Sequence, residues 1–236
     1  MRTIGLLFNV LWSPGETMSL LSKNAKVLTP LVFLSLFSML TGAAVMTKIS
    51  PADLAIRAIK QSPQGRNFSD EQEQQLRKTM DLPAVKGFTL ATTVLGPACL
   101  VLILAGLYFG LFTMLGREGG FKAFLSITAF AFIPSVFRQL AAVVSVFVVP
   151  AASIMPDELG SISPAVFLDR DAIVPALFIF VNMIDLVTIW ILALLVIGYG
   201  QVTRRSLSKA ALVGGVLGPF LVYAVLRVAL AWIRGA

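Results

Sequence analysis

The chain has 236 residues, 57% of them hydrophobic and only 13% charged, with a formal net charge of +7 and a mean hydropathy of +0.88. A soluble domain carries roughly a quarter charged residues, so this composition excludes a water-soluble globule, a disordered tail and an ordinary secreted domain. With no histidine and a single cysteine, Cys99, the chain also lacks the groups for an imidazole metal site, a Ser-His-Asp triad, a multi-thiolate zinc site or an internal disulfide.

What remains is an all-α, polytopic membrane helix bundle. Taken in chain order, residues 1–26 come first. Thr3 to Trp12 is too short to span a bilayer and lacks a small-residue cleavage site, so a removable signal peptide is not expected. Ile4, Leu7, Phe8 and Trp12, then Met18, Leu20 and Leu21 beyond Pro14, are spaced for an N-terminal amphipathic helix lying in the membrane interface. The membrane domain occupies 27–236. Five apolar stretches, about 27–47, 87–115, 123–149, 172–199 and 210–233, each reach the roughly 20 residues that a span requires.

Between the first two spans lies a polar loop, 48–86. Ser50-Pro51 opens one short helix, with Leu54, Ala58 and Ile59 on one face and Arg57 and Lys60 on the other. Gln61 to Arg66, with Pro63 and Gly65, breaks it. Ser69 starts a second helix, and Gln72 three residues later completes a capping box. This reads as a solvated cap, with a recognition element as the alternative. Asn67-Phe68-Ser69 has the form of a glycosylation sequon, which matters only in a eukaryotic lumen.

Orientation is set by lysine and arginine. The side holding the N-terminus, 116–122 and 200–209 carries eight basic residues and two acids, whereas the other side carries nine of each. The expectation is a cytoplasmic N-terminus and an external C-terminus in a bacterial inner membrane. No basic run with interleaved aromatics is present, so nucleic acid is not an expected partner; basic residues beside spans face anionic lipid. No cofactor or metal is expected. Cys99, inside an apolar run, reads as a buried inert thiol.

Three charges interrupt the spans: Arg138, Asp185 and Arg227. Each costs at least about 2.5–3.5 kcal/mol at mid-bilayer. Arg227 lies near the end of the last span and can snorkel. Arg138 and Asp185 are each roughly 18–21 Å from the same membrane face at ~1.5 Å per residue, on consecutive antiparallel spans. Pairing is the economical inference. Ser135 joins Arg138 on the third span, and Asn182 and Thr188 flank Asp185 on the fourth at three-residue steps, making a polar stripe of the kind membrane helices use at contacts. This cluster is either a structural ion pair or a midplane proton or substrate site.

Val196-Ile197-Gly198-Tyr199-Gly200 has the look of a potassium-channel filter, but it ends a continuous span rather than lying on a re-entrant loop. Gly106 with Gly110, and Gly214 with Gly218, match the small-xxx-small pattern, read here as internal close packing rather than dimerisation, although a homo-oligomer stays open. Gly96-Pro97 and Gly218-Pro219 are expected kinks.

Trp12-Ser-Pro-Gly-Glu-Thr-Met-Ser-Leu-Leu21 ahead of the first span carries a family resemblance. So do Phe121-Lys-Ala-Phe124 through Ala129 to Pro134, Asp185-Leu-Val-Thr-Ile-Trp190 and Ser206-Leu-Ser-Lys-Ala210. Together these resemble the Yip-domain family, the Ypt-interacting multispan proteins, and in particular its short prokaryotic members. The resemblance implies five spans and a cytoplasmic N-terminus. Eukaryotic relatives bind Rab-type GTPases through a longer N-terminal region. The chain has about 26 residues before its first span and lacks an Asp-Leu-x-Gly-Pro element, which weighs against GTPase binding. The expected role is non-enzymatic, organising membrane-protein partners or lipids in the bilayer; the alternative is a small transporter or proton-coupled carrier using Arg138 and Asp185. An intramembrane hydrolase has no plausible base and is set aside.

Overall fold

The computed structural model of the chain describes residues 3–61, 65, 68–116, 119–156, 159–168, 173–203 and 207–233. Among them every regular element is helical: α1 Thr3–Trp12, α2 Pro14–Lys23, α3 Leu28–Met46, α4 Pro51–Gln61, α5 Asp70–Met80, α6 Pro83–Met114, α7 Phe121–Ala131, α8 Ser135–Val148, α9 Pro175–Met183, α10 Leu186–Val202 and α11 Lys209–Ile233. Four stretches are long and apolar enough to cross a membrane: α3, α6, Phe121–Val148 and α11. A fifth span is counted if α9 and α10, bent by 53° at their junction, cross together. The all-α polytopic architecture is as expected from sequence, but the third and fourth of the expected apolar stretches are each interrupted.

Both interruptions have local causes. Pro134 has no amide to donate, so the Phe130 carbonyl takes the Ile133 amide instead, at 3.2 Å, and the chain passes through a tight turn before α8. At the other, the Ile184 amide closes a short turn on Val181 at 3.2 Å, and Asp185 occupies the position before the first turn of α10. A carboxylate there faces the positive end of the helix dipole, which is why aspartate starts helices more readily than it continues them.

The described chain forms two compact units. One comprises residues up to 36, 95–136 and 186–223. Its core is built by α1 and α2 against α7 and α10, with Val10, Met18, Leu21, Phe124, Ile127 and Leu194 almost wholly buried. The expected single amphipathic helix is two helices, divided at Ser13. Ile4, Phe8 and Trp12 recur every fourth residue on the exposed side of α1, while Leu6, Leu7 and Val10 are buried. Tyr199 stacks on Phe124 with ring centroids 4.7 Å apart, and its hydroxyl lies 2.7 Å from that of Thr128. The filter-like Gly198-Tyr199 is thus a packing element inside α10. A side chain at Gly198 would place its Cβ 2.4 Å from Ile127 and 3.1 Å from Met18.

The other unit comprises 37–94, 137–185 and the residues from 224 onward. Here the 48–86 loop folds as two helices. The capping box is present: the Ser69 hydroxyl accepts from the Gln72 amide, and the Gln72 side chain accepts from the Ser69 amide at 2.9 Å. The face of α4 differs from the expected one. Ile56 is its buried residue and Ala58 is exposed, because Arg57 turns inward to donate to the Ala151 and Ile154 carbonyls, the latter at 2.8 Å. Lys60 pairs with Glu73, and Arg77 bridges Glu73 and Asp53, binding α4 to α5. The Ser50 hydroxyl, followed by Arg77, holds the Asp53 carboxyl below its usual range; Lys60, followed by Arg77, does the same for Glu73.

Two smaller expectations fail. Cys99 is exposed on α6, not buried. Gly106, Gly110, Gly214 and Gly218 have nothing within 4 Å of where a Cβ would stand, so neither small-residue pair marks internal close packing; Gly42, Gly198 and Gly215 do that instead. Pro97 and Pro219 lie within continuous helices. The sequon Asn67 lies outside the described residues, as do Arg2, Arg117, Arg204 and Arg205 of the basic side.

Candidate functional site

Arg138 lies one turn into α8, just past the Pro134 break, and Asp185 lies at the junction of α9 and α10. They form a bidentate pair: Nε donates to Oδ2 at 2.8 Å and Nη2 to Oδ1 at 2.7 Å. The fork matches the carboxylate edge, the strongest ion-pair geometry available to these groups. The two ends are unequally buried, with 5% of the Asp185 side chain exposed against 36% for Arg138. The two charges singled out by their equal depth in the sequence are therefore brought together. Spacing alone did not reveal that the carboxylate stands at a helix junction.

A second connection runs parallel to the pair. Gly160, with φ +74°, lies so close to α8 that a Cβ there would be 2.5 Å from the Arg138 backbone oxygen and 3.0 Å from the Ala142 Cβ. The next residues of the same loop hold α9: the Ser161 and Ser163 hydroxyls donate to Asn182 Oδ1 at 2.7 and 2.9 Å. The Ser163 hydroxyl also accepts from the Ala165 amide at 3.1 Å, fixing the short helical turn that comes after it. Loop 159–163 thus joins α8 to α9, the ion pair joins α8 to the end of α9, and Asn182 belongs to the loop contact. Ser135 and Thr188, also named from sequence, fall in the other unit, both outside the fully buried set. Gly160, Ser161 and Ser163 were missed. The Leu-Gly-Ser-x-Ser pattern from 159 is an ordinary turn signal, and only the positive φ and the close approach give it meaning.

Arg227 is exposed on α11, in keeping with a side chain able to reach the interface. Among the described residues no group of three or more acidic or thiol side chains is placed to hold a metal ion. What the arrangement can do chemically is clasp α8 to the α9–α10 elbow or, if the clasp opens, present a charge at a helix break.

Long apolar helices, two interrupted apolar stretches and a buried carboxylate paired with an arginine define an integral, multi-pass membrane protein. The Yip1 domain model matches residues 8–229, nearly the whole chain, and the chain belongs to that family. Neither a curated protein nor a solved structure matches it.

Proposed function

We propose that this protein is a non-enzymatic organiser of the membrane, holding membrane-protein partners or lipids in place through a clasped helix bundle. The observation that carries this reading is the bidentate Arg138–Asp185 contact, in which each carboxylate oxygen takes a guanidinium donor. Charges turned on each other serve the packing of α8 against the elbow, a use seen where buried ionic groups specify one arrangement over others. The helices α1 and α2 lie at the interface of the cytoplasmic leaflet, the chain sits in a bacterial inner membrane, and its C-terminus faces outward. GTPase binding is not part of this reading. The test is the Arg138→Leu/Asp185→Leu double variant in a strain lacking the native gene, read as membrane-complex composition by crosslinking and mass spectrometry. The double variant restores the wild-type pattern if the pair is structural; normal expression without restoration overturns the reading.

A second reading is favoured by the break at Asp185. Transporters place half-helix ends and intramembrane charges at their binding sites, and an aspartate at the 53° elbow between α9 and α10 has that form. On this reading Asp185→Asn abolishes uptake or a pH-dependent flux in proteoliposomes while the protein still folds. Unchanged flux, or none from the wild type across a broad substrate panel, removes it.

A further inference from the structure

A different part of the 37–94 unit carries a ligand-shaped path. Two cavities, of about 460 and 340 Å³, share Met46, Pro51 and Thr89 in their walls and so adjoin one another along α3 and α6. Each is within the size range of small-molecule sites. Neither Arg138 nor Asp185 lines them, so a ligand here is independent of the role of that pair.

The path changes character along its length. At the end beneath α4 and α5 its walls carry Arg77, Asp81 and Lys86. Beyond Thr89 its walls carry no charge and include Ser38, Thr41, Gly42, Val45 and Thr93. The threonines there are apolar in effect. Thr41, Thr89 and Thr93 each donate to their own helix backbone at 2.9 Å, which satisfies the hydroxyl within the helix. Thr41 also reaches Gln139 at 3.0 Å. From Met46 to Ser38 the wall follows α3 for eight residues, about 12 Å at ~1.5 Å per residue, against about 15 Å for half of a bilayer's hydrocarbon core. The roof is fixed by the Arg57 contacts and by the Lys60–Glu73 and Arg77–Asp53 bridges.

We propose that this path binds one aminophospholipid, its headgroup under the α4–α5 cap and an acyl chain running past Thr89 along α3. Charge complementarity selects the occupant. Arg77 is engaged by Asp53 and Glu73, whereas Lys86 and Asp81 pair with each other at 3.0 Å while 64% and 77% exposed, a surface bridge that a headgroup can exchange into. A phosphate takes the Lys86 ammonium, and a primary amine takes the Asp81 carboxylate. A headgroup carrying both satisfies both, which a purely anionic headgroup does not. The uncharged wall accepts the acyl chain by close packing, and because lipid tails give no hydrophobic drive within a bilayer the selectivity rests on the headgroup.

The test uses purified full-length protein and native mass spectrometry with equal amounts of phosphatidylethanolamine, phosphatidylglycerol and phosphatidylcholine. Wild-type protein retains one phosphatidylethanolamine in preference to the other two. Lys86→Glu lowers retention about tenfold, the loss of roughly one charge-assisted contact. Thr89→Trp, at the junction of the two cavities, abolishes it. Ala52→Trp, on the cap side, gives the same result if the junction variant fails to fold. Equal retention by wild type and a folded blocking variant shows only annular lipid and overturns the proposal. Preference for phosphatidylglycerol, or retention of detergent alone, overturns the assignment of an aminophospholipid.

Discussion

Removing one member of the Arg138–Asp185 pair should cost more than removing both, and which member is removed should matter. In Arg138→Leu the Asp185 carboxylate stays 5% exposed with its two guanidinium donors gone. Stranding one buried partner costs about 3–5 kcal/mol. A loss of about 3–4 kcal/mol is therefore expected. In Asp185→Leu the stranded group is a guanidinium already 36% exposed, on a long stem that can swing toward water. About half the loss, ~2 kcal/mol, is expected from that partial exposure and the lower desolvation cost. In the double variant neither charge is stranded, so stability should lie within about 1 kcal/mol of wild type or above it. Reversible unfolding in mixed micelles of mild detergent and sodium dodecyl sulfate measures all four corners of the cycle. The coupling energy is then about 4 kcal/mol or more. If both single variants fall within about 0.5 kcal/mol of wild type, inside the error of additivity, the contact does not couple the helices and the pair is no clasp.

Glycines offer a test in which the sign changes with position. Gly198→Ala brings a Cβ to 2.4 Å from the Ile127 methyl and should destabilise by about 1–2 kcal/mol, whereas Gly106→Ala meets nothing and should gain about 0.5–1 kcal/mol; thermal melts in detergent decide. Gly160→Ala sets a Cβ against the Arg138 carbonyl at a positive φ, so it should cost at least about 1–2 kcal/mol. Hydrogen exchange should show α9 loosening first, through Asn182. The cap has a pH signature. Asp53 and Glu73 are held below their ordinary values of 3.8 and 4.5. Their contribution is therefore complete above those values and is lost as pH falls through the lower folded values. Exchange protection of α4 and α5 should be unchanged from pH 7 to 5 and fall below about 4; a loss already present at pH 5 contradicts the assignment.

Much of this was legible in the sequence because hydropathy and charge are strong local signals. The five apolar stretches, the Ser69 capping box and the pairing of two opposite charges at equal depth needed only spacing and the cost of a buried ion. What stayed hidden depended on neighbours. Ile56 faces inward on α4 because Arg57 is drawn to two carbonyls 94 and 97 residues away. Gly106 and Gly198 look alike as letters, but one meets open space and the other a methyl group. The break in the third span could be read from Pro134. The break in the fourth had a weaker sign: an aspartate in an apolar run stands out first as an anomaly of charge, although it is equally a helix-starting residue.

That second role bears on why the pair exists. If stability were its only effect, two leucines would do as well, and the double variant is expected to be stable. Leucine, however, favours continuing a helix where aspartate favours starting one. With leucine at 185 nothing at the junction favours ending α9 at Met183 and beginning α10 at Leu186, and the 53° bend between them loses its local cause. The loop contact from Ser161 and Ser163 still holds Asn182, so α9 keeps one tether to α8 by way of Gly160. The double variant therefore separates two quantities that the wild type combines. Its stability reports on charge burial, and the angle of its fourth span reports on whether Asp185 directs the chain. An unchanged angle would place the cause of the bend in the loop tether; a straightened span would place it in the one residue that is at once a helix start and half of a buried pair.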